Sequence, residues 1–224
     1  MNIAEQKQQV RYVTQNLEAA YGVPQNRCPE DPLESLVQTI LSQSTSDANS
    51  SRAFASLKRR FPDWESACRA RPASIAAAIR SGGLARVKSV VIKDVLNEVR
   101  ARRGTLDLDF LRTAPLAAAL DFLTSLKGIG PKTASCVLLF ACRRPVFPLD
   151  THILRITRRL GLVPERATDQ QAHDLMARLI PPRKHFSLHV NLIRHGRRVC
   201  RPRDPLCIQC CLIEHCHYGQ THTL

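Results

Sequence analysis

The stretch "LKGIGPKTASCVLLF", residues 126–140, decides how this chain is read. Only nine glycines occur among its 224 residues, yet Gly128 and Gly130 stand two positions apart here. Glycine takes positive φ without a Cβ clash and lets a backbone or ligand come close, so Leu126-Lys127-Gly128-Ile129-Gly130 reads as a tight turn between two helices. Pro131 suits the first position of the second helix, where the amide it lacks has no partner anyway. Exposed amides at the positive end of a helix make a natural phosphate site. Taken alone, the same turn also serves as an ordinary connection between two helices. Lys132 then opens a helix whose next turns are almost wholly apolar.

Outward from this turn, helical spacing recurs along the chain and period-2 alternation appears nowhere. Apolar residues at Ile3, Val10, Val13, Leu17 and Ala20 predict a helix over 3–22 that stops at Gly22. Asp31 and Pro32 supply a cap and a first helical position for the next run. Further helices are predicted over 47–60, 73–80, 87–102, 115–125, 131–142, 151–161, 169–180 and 184–199. Between them fall Pro62, Pro72, Gly82-Gly83, Gly104, Pro145 and Pro181-Pro182. The class is all-α with short connections. The length allows one large domain or two modest ones. With no low-complexity linker, any division is discontinuous or tightly packed.

Thirty-three basic residues against nineteen acidic ones give a net charge of +14, and 44% hydrophobic residues argue for a folded chain. A field of this sign attracts polyanions, of which nucleic acid is the commonest in cells. Aromatic content of 5% argues against a protein that stacks many single-stranded bases. The longest apolar run, "SCVLLFAC" (135–142), is too short to span a bilayer. "MNIAEQKQQVRYV" lacks the basic start and apolar core of a secretory signal, and the arginine- and serine-rich character of a mitochondrial presequence. The expectation is a cytoplasmic, nucleoid-associated monomer with no membrane partner.

Nine cysteines without a secretory signal argue against a disulfide framework. Four of them, Cys200, Cys207, Cys210 and Cys216 in "CRPRDPLCIQCCLIEHC", have the spacing C-x6-C-x2-C-x5-C. Four thiolates suit tetrahedral zinc or an iron–sulfur cluster, and spacing alone leans to zinc as the commoner structural metal. Cys211 competes with Cys210 for the same place. Cys28, Cys68, Cys136 and Cys142 lie on apolar stretches and are expected to be small buried hydrophobes. Arg197, Arg198, Arg201 and Arg203 crowd the cluster, as befits a loop lying on phosphates. Lys132 and Asp150 are eighteen residues apart, with one helix and "RRPVFP" between them. That length lets a helix run out and the chain return to its start. Considered singly, the lysine is a phosphate contact and the aspartate a helix cap.

"LKGIGPKTA" followed by "PLDTHILR" resembles the helix-hairpin-helix DNA glycosylase superfamily. "HGRRVC" leading into the cysteine spacing resembles the C-terminal motif of its endonuclease III family, and the similarity runs from about residue 30 to 217. The resemblance implies a six-helix domain over 31–145, with the hairpin at about 120–142. It implies a second domain from 1–30 and 146–224, holding a [4Fe-4S] cluster on Cys200, Cys207, Cys210 and Cys216, with a DNA cleft between the two. The family's spacing selects Cys210 over Cys211. Gly128 and Gly130 would let the DNA backbone approach. Lys132 would attack the anomeric carbon of a damaged nucleotide, while Asp150 accepts its proton or stabilises positive charge on the sugar. A lysine becomes nucleophilic when partial burial or nearby positive charge lowers its pKa.

The implied activity is base-excision N-glycosylase with AP lyase (β-elimination) on oxidised pyrimidines, in duplex DNA carrying damaged bases or abasic sites. The nucleotide must first be turned out of the stack. "LVQTILSQSTSD" is similar to the family's "LLSAQATD" segment, which helps fill the gap left by the flipped base. Gln43 and Ser44 are its candidates here, with Ser44 where the family has glutamine. "GGLARVKS" resembles the wedge loop, which makes Leu84 the candidate for insertion between bases. The cluster would be structural, shaping a DNA-contacting loop with Arg201 and Arg203. Lys127 departs from the family's usual proline. Gln38 stands where adenine-specific relatives carry a catalytic glutamate, and those relatives also lack the hairpin lysine. The competing class is a non-catalytic helix-hairpin-helix binder or iron–sulfur redox sensor, which needs neither Lys132 nor Asp150.

Overall fold

Local capping chemistry starts and stops most of the helices. The computed structural model describes residues 2–26 and 31–222; Cys28 lies outside them. α1 (Ile3–Tyr21) begins at Asn2, which exchanges backbone–side-chain hydrogen bonds of 2.8 and 3.0 Å with Glu5. It ends at Gly22, whose amide donates to the Glu18 carbonyl. α2 (Pro32–Ser42) is capped by Asp31, α3 (Asp47–Arg60) by Ser46 and α4 (Trp64–Arg69) by Asp63. α5 (Pro72–Ala78), α6 (Ala85–Arg103), α7 (Leu116–Ser125) and α8 (Pro131–Phe140) follow. α9 (Thr151–Arg159) starts at Asp150, α10 (Asp169–Leu179) at a Thr168–Gln171 capping box, and α11 (His185–Arg198) and α12 (His217–His222) complete the order. No strand occurs among the described residues, so the class is all-α.

The structure departs from the sequence pattern at a few ends. α8 stops at Phe140 instead of 142, because Arg143 takes φ 54 and the Arg144 amide folds back onto the Leu138 carbonyl at 2.8 Å. α9 stops at Arg159 instead of 161; Gly161 is left-handed, and Leu162 donates back to Thr157 at 2.9 Å. α5 gives way after Ala78 to a 3-10 turn at Arg80–Gly82. α4 and α12, of six residues each, had no sequence counterpart.

The chain divides into two compact units, Met1–Arg27 with Pro145–Leu224, and Cys28–Arg144. In the first, α1 packs on α11 and α11 on α9. Val10, Val13 and Leu17 enter a core with Phe147, Ile153, Ile156, Met176, Leu188 and Leu192. In the second, α2 packs on α3 and α8, and α5 on α6. Leu33, Leu36, Val37 and Ile40, at helical spacing on one face of α2, are fully buried. Each such side chain withdrawn from water contributes roughly 1.5–3 kcal/mol. Burying this face fixes the far end of α2, and with it the exposed Gln43–Ser44 turn. Of the scattered cysteines, Cys68 and Cys142 are buried and Cys136 is half-buried; burial pushes the Cys142 thiol up to about 11.

Candidate nucleic-acid interface and cysteine cluster

The hairpin is built as the quoted turn requires, but its two glycines do different things. Gly128 takes φ 85, and a Cβ there would stand 2.9 and 3.0 Å from the two γ-methyls of Val91 on α6. Both the backbone and the packing therefore demand glycine. Gly130 has φ −89, so positive φ is used only at Gly128, and a Cβ on Gly130 would meet no atom within 4 Å. The fold itself does not need glycine at 130; the space in front of it is open. Ile129 between them is buried. α8 begins without a side-chain cap, so no side chain takes up the amides at its positive end.

Lys132 lies in that first turn and is exposed. α8 turns Thr133, Ala134 and Ser135 inward instead, so of the two routes to a nucleophilic lysine, partial burial or nearby positive charge, its own unit does not supply burial. Gln43, at the end of α2, donates from Nε2 to Thr133 Oγ1 at 3.2 Å, which brings the α2 turn onto the start of α8. Ser44 follows with φ 52, exposed and strained for a residue with a side chain. Leu84 is 60% exposed, with φ 50. It is not an interior loop residue but the one that initiates α6. α6 carries Leu84 at its start and Val91 against Gly128, so one helix joins the candidate wedge to the hairpin. Within this unit the structure thus assembles Gln43, Ser44, Leu84, Gly128, Gly130 and Lys132 around α2, α6 and α8.

Asp150 belongs to the other unit. It is half-buried and caps α9, its Oδ1 accepting the Ile153 amide at 2.7 Å. The same helix carries two arginines that sequence reasoning missed. Arg155 donates to the carbonyls of Gly196 (2.9 Å) and Cys200 (2.8 and 3.0 Å). Arg159 donates to Cys200 Sγ (3.3 Å) and to the carbonyls of Arg201 (2.7 Å) and Pro202 (3.1 Å). Their i, i+4 spacing in "DTHILRITRR" was the available signal. Asp150 and the first half of the cysteine loop are thereby tied through one helix, while the side chains of Arg201 and Arg203 stay exposed.

The four cysteines lie within electrostatic reach of one another. Burial raises Cys210 to about 12, with contributions from Cys211, Cys216 and Cys200. Burial likewise raises Cys216, which also feels Cys200 and Cys207. The Leu212 amide donates to Cys210 Sγ and the Gly219 amide to Cys216 Sγ, both at 3.4 Å. Amides aimed at sulfur and thiols mutually opposed to ionisation are what a cationic centre would relieve. The donor set fits an iron–sulfur or zinc group, although among the described residues no three His, Cys, Asp or Glu side chains are already arranged to hold a metal ion. Behind the set, His195 Nε2 stands 3.5 Å from Cys210 Sγ and its Nδ1 is 3.0 Å from the Tyr21 hydroxyl. No helix is long and apolar enough to cross a membrane.

Comparison with known proteins places this architecture. A family match described as "HhH-GPD superfamily base excision DNA repair protein" covers residues 37–182. A putative DNA glycosylase of Arabidopsis thaliana is 44% identical over 168 residues, 75% of this chain and 57% of that protein. The chain therefore spans little more than half of that relative's length. Endonuclease III of Thermotoga maritima is 30% identical over 195 residues, 87% of each chain. Among solved structures, a trapped endonuclease III–DNA covalent intermediate superposes with a TM-score of 0.82 at 24% identity, over 97% of this chain and 99% of that one. The chain belongs to the HhH-GPD superfamily of base excision DNA repair proteins and, within it, to the endonuclease III-like family.

Proposed function

We propose that this protein is a base-excision DNA glycosylase with AP lyase activity, acting as a monomer on oxidised pyrimidines and abasic sites in duplex DNA. Lys132 Nζ, once deprotonated, attacks C1′ of the extruded nucleotide as the bond to the base breaks and the base leaves with a proton. Asp150 is the residue assigned to accept the lysine's proton or to stabilise positive charge on the sugar. The attached nitrogen then gives up a proton to the ring oxygen and the C1′–O4′ bond breaks, opening the sugar to a protonated Schiff base. Loss of a proton from C2′ expels the 3′ phosphate by β-elimination. Asp150 spends Oδ1 on capping α9, which leaves Oδ2 for the proton. Cys200, Cys207, Cys210 and Cys216 would hold a [4Fe-4S] cluster, whose contribution when bound is structural. Arg155 and Arg159 hold the backbone that presents Arg201 and Arg203 to phosphates.

The observation that carries this proposal is the exposed Lys132 in an uncapped first turn, beside an open Gly130. A hairpin used only for binding has no need of a lysine there, since the uncapped amides already suit phosphate. Borohydride treatment of mixtures with duplexes bearing oxidised pyrimidines, an abasic site or no damage tests it. Covalent adducts are expected on the first two only. A gel shift on all three with no adduct on any would identify a non-catalytic binder.

A further inference from the structure

The gap-filling role expected of the Gln43–Ser44 turn and the wedge role expected of Leu84 both need contact with the duplex, and one buried cation touches the base of both turns. Lys88, on α6, is only 3% exposed. Its Nζ donates to the Leu41 carbonyl at 2.7 Å and to the Gly82 carbonyl at 2.8 Å. Leu41 lies at the negative end of α2, just before Gln43 and Ser44; Gly82 lies two residues before Leu84. Ser44 and Leu84 are both non-glycine residues held at positive φ. Two of the strained turns of this unit thus hang from one ammonium.

Nothing about simple packing calls for a charge at this point. No carboxylate among the described residues pairs with Lys88, and burial lowers its pKa, so the site retains a cation at some expense in desolvation. What the ammonium supplies is a tetrahedral donor that reaches two carbonyls on separate segments at once. The fit around it is close: a Cβ on Gly82 would stand 3.0 Å from Ala53 Cβ on α3. The Lys88 amide also donates to the Leu84 carbonyl at 2.9 Å, so the residue grips the wedge turn from both its backbone and its side chain.

We propose that Lys88 is a positioning residue that locks the Gln43–Ser44 turn and the Gly83–Leu84 turn at one fixed separation, so that both enter the base stack as a unit. It touches neither substrate nor reacting atoms and acts through Leu84 and Gln43. This rests on the base-excision function proposed above, and the test separates the two.

The proteins are wild type, Lys88→Met, Leu84→Ala and the double variant; the probe is a duplex with a tetrahydrofuran abasic analogue and 2-aminopurine at the neighbouring base. Fluorescence reports unstacking, anisotropy reports affinity, and circular dichroism fixes the folded fraction used to normalise both. Lys88→Met is expected to lose most of the fluorescence response while Kd changes by less than about threefold. On a lesion duplex, single-turnover base release should fall by at least about tenfold, against less than about threefold for β-elimination at a preformed abasic site. Adding Leu84→Ala to Lys88→Met should cost no more than about a further twofold, because the two act as one device. Equal losses in every assay, or fully additive losses in the double variant, would overturn the proposal. If Lys88→Met does not fold, Lys88→Arg replaces it: its planar fork keeps the charge but not the two-carbonyl geometry, and the same split is expected. Should wild type release no base from any lesion, the glycosylase proposal fails while the fluorescence and affinity measurements still decide the role of Lys88.

Discussion

Replacing the two hairpin glycines one at a time separates what the fold needs from what DNA needs. In Gly128→Ala the new Cβ must sit at φ 85 and within 2.9–3.0 Å of the Val91 methyls. Left-handed backbone costs an alanine roughly 1–2 kcal/mol, and overpacking against Val91 adds about 1–3 kcal/mol. Lower entropy of the unfolded chain returns about 0.4–1 kcal/mol. The net is centred near ~3 kcal/mol, a fall in Tm of about 6–12 °C for a chain of this size. In Gly130→Ala, φ is ordinary and no atom lies within 4 Å of the Cβ. Alanine is a poorer N-cap than glycine, but the unfolded-state gain offsets this, so stability should stay within about 0.5 kcal/mol. If Gly130 is where the phosphate backbone approaches, DNA affinity should nevertheless drop by at least about tenfold, because the methyl would occupy that open space. Thermal melts and fluorescence anisotropy at fixed salt on both variants decide the matter. Equal Tm losses for the two variants, or wild-type affinity in Gly130→Ala, would refute this division of labour.

Leu84→Ala should slow base release from a well-paired lesion more than β-elimination at an abasic site, with Tm nearly unchanged because Leu84 is exposed; a loss of the ~2–5 kcal/mol typical of a core truncation would show it to be packing. Purified protein should contain iron and acid-labile sulfide in comparable amounts, lost in Cys210→Ser and kept in Cys211→Ser; one zinc and no iron would overturn the cluster assignment. Desolvation opposes the Glu18 carboxylate, but Lys184 and Ser187 outweigh it and hold its pKa below the usual range. The folded state therefore binds its proton less readily than the unfolded chain. Its stabilisation is present above the unfolded value of about 4.3 and fades as pH falls through the lower folded value. The stability gap between wild type and Glu18→Gln, followed by urea titration, should shrink below about pH 4; a gap independent of pH would contradict the ion pair's role.

Much of the architecture was legible because helix ends are written locally. Asn2 with Glu5, Asp31 with Pro32, and Gly22 each mark a boundary through chemistry confined to four residues. α4 was invisible, since six residues give no period to detect. The early stop of α8 rests on Arg143 in a left-handed conformation, where no glycine announces it. Gly128 and Gly130 read alike in sequence, and only Val91, thirty-seven residues before Gly128, tells them apart. Lys88 in "GGLARVKS" reads as one more basic surface residue; its burial depends on α2 and the 80–82 turn closing over it. Arg155 and Arg159 had a helical spacing to reveal them, but their partners lie more than forty residues further on. The exposure of Leu84 followed from the glycines that precede it.

The proposed chemistry turns on Lys132 Nζ as the nucleophile that bonds covalently to deoxyribose. The most direct measurement is peptide mapping by mass spectrometry of the borohydride-trapped adduct, after nuclease digestion of the DNA. One modified peptide is expected, carrying the reduced sugar remnant on Lys132. Lys132→Ala should yield no adduct, with DNA affinity within about tenfold of wild type. An adduct on any other amine, or undiminished trapping in Lys132→Ala, would contradict that role.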